Sequence, residues 1–232
     1  MDPAQQEESK RNAGYHAAGM VEDGMAVGLG TGSTVFFAME RLGERITRDG
    51  LSIVGVPTSY QAAIRARRYG IPLTGLDEHP ILDVAIDGAD QVDPDLRLIK
   101  GRGAALLREK CVCDAARAVV IVADPTKMVE TLNAPVPVEV LPFASTSVSR
   151  RLVALGASPA LREGVKKDGP VITDNGNFII DCDFGTITGP EGLEAAIAAI
   201  PGALECGLFS AYREKMTIII GEEEGCRVIS LQ

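Results

Sequence analysis

The chain has 232 residues, 46% of them hydrophobic, enough to bury a sizeable core in one large domain or in a large domain with a small satellite. A formal charge of -9 and a pI near 4.8 argue against a nucleic-acid or anionic-membrane surface, which needs clustered Lys and Arg; an acidic ligand must be held by a few local basic groups. No apolar run approaches the roughly 20 residues of a bilayer-spanning helix, and the opening MDPAQQEESKRN lacks a signal-peptide pattern, so a soluble cytoplasmic protein is expected.

In chain order, short apolar runs alternate with helix-like segments. MAVGL near 25–29, SIVGV at 52–56, LDVAI at 82–86 and AVVIVA at 118–123 are continuously apolar, as strands covered on both faces should be. Between them, amphipathic stretches from Thr34 to Arg48 and from Ser59 to Tyr69 close near Gly50 and Gly70 and predict crossover helices. The pattern predicts a doubly wound, Rossmann-like parallel sheet of the α/β class. Near residue 132, Asn133, Pro135, Pro137 and Pro142 punctuate the chain and the rhythm changes. VPVEVLP reads as a strand, Ser145 to Leu155 as a helix, and VITD and NFIIDCD as a hairpin about Asn175-Gly176 in a type I′ turn. A helix from Pro190 to Ala199 leads to LECGLF, and MTIIIG is expected to return to the first sheet. The division expected is a Rossmann-like domain over 1–132 and 207–232 with an inserted α+β, ferredoxin-like domain over 133–206.

The five cysteines, Cys111, Cys113, Cys182, Cys206 and Cys226, are odd in number and follow no zinc-ligand spacing, so they read as reduced thiols. His16 and His79 lie in no motif and are assigned no role.

Three segments carry chemistry. Gly28-Leu29-Gly30-Thr31-Gly32-Ser33-Thr34 is a glycine-rich turn between a strand and a helix, where backbone N–H groups and the helix dipole favour an anion. Ser33 stands where a dinucleotide fingerprint has its third glycine, and no Gly-Lys-Ser/Thr ends the loop; the hydroxyls of Thr31, Ser33 and Thr34 favour a small phosphate ester. Asp87-Gly88-Ala89-Asp90 follows an apolar strand, at the carboxyl end where ligands bind such sheets. The spacing of Asp87, Asp90 and Asp93 does not suit a calcium loop, whereas magnesium on one or two of these carboxylates stays open. Lys100-Gly101-Arg102-Gly103 leads into a helix carrying Glu109 between Arg108 and Lys110. One carboxylate to move a proton and one cation to offset oxygen charge are what an aldose–ketose isomerisation needs.

The strings VGLGTGST, IDGADQVD, LIKGRGAALLREK, ADPTK, PVPVEVLPFA, ITDNGNF and IPGALECGLF, in this order, resemble the A-type ribose-5-phosphate isomerase family over nearly the whole chain. The resemblance implies a Rossmann-like domain with a small α+β insertion, a sugar-phosphate substrate, no cofactor, no metal, and a homodimer or homotetramer. It implies Glu109 as the general base, Asp87 and Asp90 as sugar-binding carboxylates, and Lys100 as the group that stabilises the enediolate. The substrate loop falls on Thr31, Gly32, Ser33 and Thr34, with Gly88, Ala89, Gly101, Arg102 and Gly103 in the neighbouring motifs. Lys127 and Lys10 match phosphate-side lysines, Lys10 in the least similar segment, and Arg102 stands where some members have Gly. A phosphosugar sensor without catalysis is the alternative of another class, but it would need a DNA-reading helix for which few residues precede the first strand. A sugar-phosphate lactonase or deaminase on a related fold is the rival enzyme.

Overall fold

Apart from VITD, the runs marked as strands and helices form in the computed structural model, which describes residues 1–231. In chain order the helices and strands are α1 (Pro3–Gly19), β1 (Ala26–Leu29), α2 (Ser33–Asp49), β2 (Val54–Pro57), α3 (Tyr60–Arg68), β3 (Leu82–Gly88), β4 (Gln91–Val92), β5 (Leu98–Ile99), α4 (Leu106–Ala115) and β6 (Ala116–Ala123). Then follow β7 (Val136–Val140), α5 (Ser145–Ala154), β8 (Ser158–Leu161), β9 (Phe178–Asp183), α6 (Pro190–Ala198), β10 (Ala203–Cys206), β11 (Leu208–Phe209), β12 (Met216–Gly221) and β13 (Cys226–Ser230). Residues 1–89, 108–128 and 212 onward make one unit; residues 90–107 and 129–211 make the other.

The first unit is built on a six-stranded sheet in the order β13-β12-β6-β3-β1-β2, parallel except for β13. Alternation along the strands sends Val27, Leu29, Val84, Ile86, Val120, Val122 and Ile219 into one apolar core with α1, α2 and α3. The opposite face receives α4, whose Val112 lies against Gly28. Helices on both faces explain the uniformly apolar strands, since neither side meets water. Each fully buried Val, Leu or Ile contributes roughly 1.5–3 kcal/mol.

Local signals set the helix ends. Asp2 and Gln5 form a capping box ahead of Pro3 in α1, Ser59 accepts a hydrogen bond from Ala62 N to start α3, and Gly50 in the left-handed region ends α2. Besides the short strands β4, β5 and β8, two elements had no counterpart in the sequence reading. One is α1, whose amphipathic pattern is very weak; the other is the antiparallel edge strand β13, partly exposed and only loosely apolar.

In the second unit, β7-α5-β8-β9-α6-β10 forms an antiparallel sheet ordered β10-β7-β9-β8, the ferredoxin-like arrangement. Val136, Val138, Val140, Ile180 and Cys182 face α5 and α6 to make its core. Residues 90–107, 129–132 and 207–211, which the sequence reading assigns to the larger domain, cluster with this unit, where β4 and β5 form a small sheet with β11.

The hairpin differs from expectation. The partner of β9 is Ser158–Leu161, not VITD, and an excursion over residues 162–177 joins them. The turn is not type I′ either, because Gly176 has φ +82° while Asn175 stays outside the positive-φ region. Glu139 explains the turn: buried on β7, its Oε1 accepts from Thr173 Oγ1 (2.8 Å), Asn175 Nδ2 (3.0 Å) and Asn177 Nδ2 (2.8 Å). A side-chain network, invisible to turn rules, holds this segment.

Candidate active site

In the first unit, β1 delivers the chain to Gly30, Thr31 and Gly32, and α2 begins at Ser33. Gly32, the N-cap, offers no side-chain oxygen to the first-turn N–H groups, and that turn contains no acid. The result is a helix terminus suited to an anion.

Asp87, at the end of β3 and 2% exposed, is woven into this turn. Its Oδ1 accepts from the N–H of Thr31 at 3.2 Å and of Gly88 at 2.7 Å. Gly30 N in turn donates to Ile86 O at 2.9 Å. Thr31 Oγ1 lies 2.9 Å from Thr58 Oγ1 and 2.7 Å from Ser59 Oγ. The sequence reading missed Thr58 and Ser59, although their place just beyond β2, at a strand's carboxyl end, was a usable signal.

Lys10, on α1, and Ser33 line a common cavity of about 360 Å³ with Phe36, Phe37 and Arg65. Lys127 ends a short 3₁₀ turn after β6, which buried Asp124 caps by accepting from Thr126 N at 3.0 Å. Gln6 Nε2 donates to the other Asp124 oxygen at 3.3 Å, tying the start of α1 to the end of β6. Glu109 lies in the first turn of α4 and is 4% exposed, so it is not one of the solvated charges that helices usually carry. Its neighbour Arg108 stacks over the exposed ring of Tyr60 at 5.1 Å.

In the second unit, Lys100 is 2% exposed, with its ammonium 5.4 Å from the Phe209 ring centroid. An ammonium over an aromatic face is attracted by the negative face of the ring. Its backbone N–H donates to Gly207 O at 2.8 Å. Asp90 N donates to Ile99 O at 2.8 Å, and Asp90 Oδ2 accepts from Arg102 N at 2.9 Å. The Arg102 side chain is largely in solvent, with its Nε 3.6 Å from Asp90. Gly103 is exposed and Gly101 buried.

Asp93 has different work. Buried at the β4–β5 turn, it accepts from Asp95 N, from Arg97 N and, at 2.6 Å, from Arg97 Nε. Burial by itself would lower the Arg97 pKa, but the Asp93 hydrogen bond and charge, with Asp95 and Glu191, raise it above its ordinary value. The regular Asp87, Asp90, Asp93 spacing thus conceals a structural member. Among the described residues, no three His, Cys, Asp or Glu side chains are grouped as metal ligands would be.

The chain thus holds a doubly wound α/β unit with an uncapped helix terminus and buried Asp87 and Glu109, and a ferredoxin-like unit with buried Lys100, an architecture of the α/β class. Residues 54–225 match the family described as ribose 5-phosphate isomerase A (phosphoriboisomerase A). The chain is 63% identical over 222 residues to the ribose-5-phosphate isomerase A of Methanoregula boonei, covering 96% of this chain and 93% of that one. It is 52% identical to the enzyme of that name from Methanosarcina acetivorans, covering 96% and 94%. Among solved structures, the ribose 5-phosphate isomerase A of Methanocaldococcus jannaschii superposes with a TM-score of 0.93 at 40% identity, covering 97% of this chain and 100% of that one. A D-ribose-5-phosphate isomerase in complex with phospho-erythronic acid gives 0.94 at 45% identity, with full coverage of both chains. The chain belongs to the ribose 5-phosphate isomerase A family.

Proposed function

We propose that this protein interconverts D-ribose 5-phosphate and D-ribulose 5-phosphate through a cis-enediolate, with Glu109 as the general base. The observation that carries the reading is the burial of Glu109, an acid on a family motif shielded from bulk water. Asp87 assists opening of the furanose ring by exchanging a proton with its oxygen, and Asp90 binds the sugar hydroxyls. Glu109 then takes the C2 proton and returns it to C1, while Lys100 offsets the charge growing on the oxygen. Positioned general-base catalysis contributes about 10² to 10⁴ in rate, and one oxyanion donor about 10² to 10³, so neither group suffices alone.

Thr31, Gly32, Ser33 and Thr34 take the phosphate at the α2 terminus, with Lys10 and Lys127 adding charge. The shared cavity of Lys10 and Ser33 supports the assignment of Lys10. Phospho-erythronic acid, bound by the 45% identical relative, combines a phosphate with a carboxylate. That carboxylate resembles an enediolate in charge, which favours the same chemistry here.

The reaction needs no metal and no cofactor, and its place is the non-oxidative pentose phosphate pathway of the cytoplasm. A homodimer or homotetramer is supported by Phe143, which is fully exposed two residues beyond partly exposed Leu141 in the second unit. Sedimentation velocity on the purified chain tests the assembly.

The deciding assay follows ribulose 5-phosphate formation from ribose 5-phosphate before and after exhaustive EDTA treatment. Activity that survives chelation supports the reading; activity restored only by added metal overturns the lysine-based account. Glu109→Gln should abolish solvent deuterium incorporation into the sugar while ligand binding stays measurable. Normal incorporation would assign the base elsewhere.

A further inference from the structure

We propose that Arg162 is a positioning residue that holds the Lys100–Gly103 segment in its working conformation, through an ion pair with Asp181. The proposal rests on the isomerase reading above. All its observations lie within the second unit.

Arg162 follows β8 directly, and Asp181 lies on the adjacent strand β9. Arg162 Nε donates to Asp181 Oδ2 at 2.8 Å, and Nη2 donates to Asp181 Oδ1, a two-pronged pairing that fixes the guanidinium plane. The remaining nitrogen, Nη1, donates to the carbonyl oxygens of Gly101 and Arg102, at 3.0 Å each. A guanidinium is thus spread over a carboxylate and two successive peptide carbonyls. Lysine, a point charge without a rigid fork, cannot reproduce that arrangement.

The same stretch is held from its donor side. Lys100 N is bonded to Gly207 O, Arg102 N to Asp90 Oδ2, and Ala104 N to Gly101 O at 3.0 Å. Ala104 sits at φ +57°, a conformation that non-glycine residues adopt only when their surroundings impose it. Arg162 holds the segment from its carbonyl side. If the Arg162–Asp181 pair, largely shielded from solvent, served stability alone, it would have no reason to reach two carbonyls of a neighbouring loop. Its reach makes sense as orientation of the peptide units between Lys100 and the start of α4.

The test joins steady-state kinetics on ribose 5-phosphate with hydrogen–deuterium exchange over residues 101–105, in the full-length protein. Because misplacement by about 1 Å costs on the order of a hundredfold, Arg162→Gln should lower kcat about tenfold to a hundredfold with KM within about threefold, and quicken exchange at those amides. Arg162→Lys should restore the charge and only part of kcat. A folded Arg162→Gln protein with wild-type kcat, or with reduced kcat and unchanged exchange, overturns the proposal. If Arg162→Gln does not fold, Asp181→Asn frees the guanidinium from its charged partner, and wild-type kcat and exchange in that variant overturn it equally. An inactive wild-type protein would instead sink the isomerase reading, an outcome the exchange data keep separate.

Discussion

Asp87 occupies the space into which any side chain at Gly30 would grow. A Cβ at Gly30 would overlap the carboxylate of Asp87 and crowd its backbone. The glycine-rich turn and the acidic motif, 57 positions apart in the chain, are therefore shaped against one another.

Gly30→Ala is accordingly expected to act on catalysis more than on folding. The new methyl group would push Asp87 off the Thr31 and Gly88 N–H groups, and, with the ring-opening role proposed for Asp87, a displacement of about 1 Å costs on the order of a hundredfold in rate. Steady-state assays beside thermal melts check this; a loss of kcat below about threefold would contradict it.

Asp93→Ala should do the reverse. It removes an acceptor of three hydrogen bonds and leaves half-buried Arg97 with only Asp95 and Glu191. Removing one partner of a buried pair costs about 3–5 kcal/mol, a little less where the cation keeps other acids. Urea denaturation should show a loss near the lower end, and kcat per folded molecule should hold.

Glu139→Ala should unfix the Thr173–Asn177 turn, since three side-chain donors lose their common acceptor. Each buried donor so stranded costs about 1–3 kcal/mol. Glu139→Gln retains one carbonyl acceptor and should lose markedly less. Comparison of the two melting curves checks this.

Cys182 provides a pH dependence. Burial, helped by the charges of Asp181 and Cys206, pushes its thiol from an ordinary 9.0 up to about 12. The folded state therefore keeps a proton that the unfolded chain releases, and the associated stability is whole below about pH 9.0 and lost as pH climbs towards about 12. Melting temperatures between pH 8 and 10.5 should fall less steeply for Cys182→Ala than for the wild type. Exposed Cys111 should react with thiol reagents in the native protein, and Cys182 only after unfolding.

The sheet of the first unit was legible because its strands are covered on both faces, which imposes an unbroken apolar run that no turn imitates. The glycine-rich turn between β1 and α2 was legible for a related reason: close packing of backbone against Asp87 demands glycine. What could not be read depends on partners distant in the chain. Glu139 decides the Thr173–Asn177 turn from another strand, so local turn rules chose the wrong geometry and the wrong pairing for β9. The work of Arg162 depends on carbonyls 60 or so positions earlier, which leave no mark on composition. Asp93 fell into an apparently regular acidic series although its oxygens belong to Arg97. The helix α1 carries so faint an amphipathic pattern because small residues, Ala13, Gly14, Ala17 and Ala18, form its buried face.

That small-residue face sets the order in which the first unit can be completed. Helix α1 lies so close to β12 that a side chain at Gly221 would overlap the carbonyl of Ser9, and Asn12 Nδ2 donates to Glu222 O at 2.9 Å, 210 positions onward. During synthesis the helix leaves the ribosome long before the strand it rests on exists. Until then its buried face, made of Ala13, Gly14, Ala17 and Ala18, leaves only small apolar groups in water.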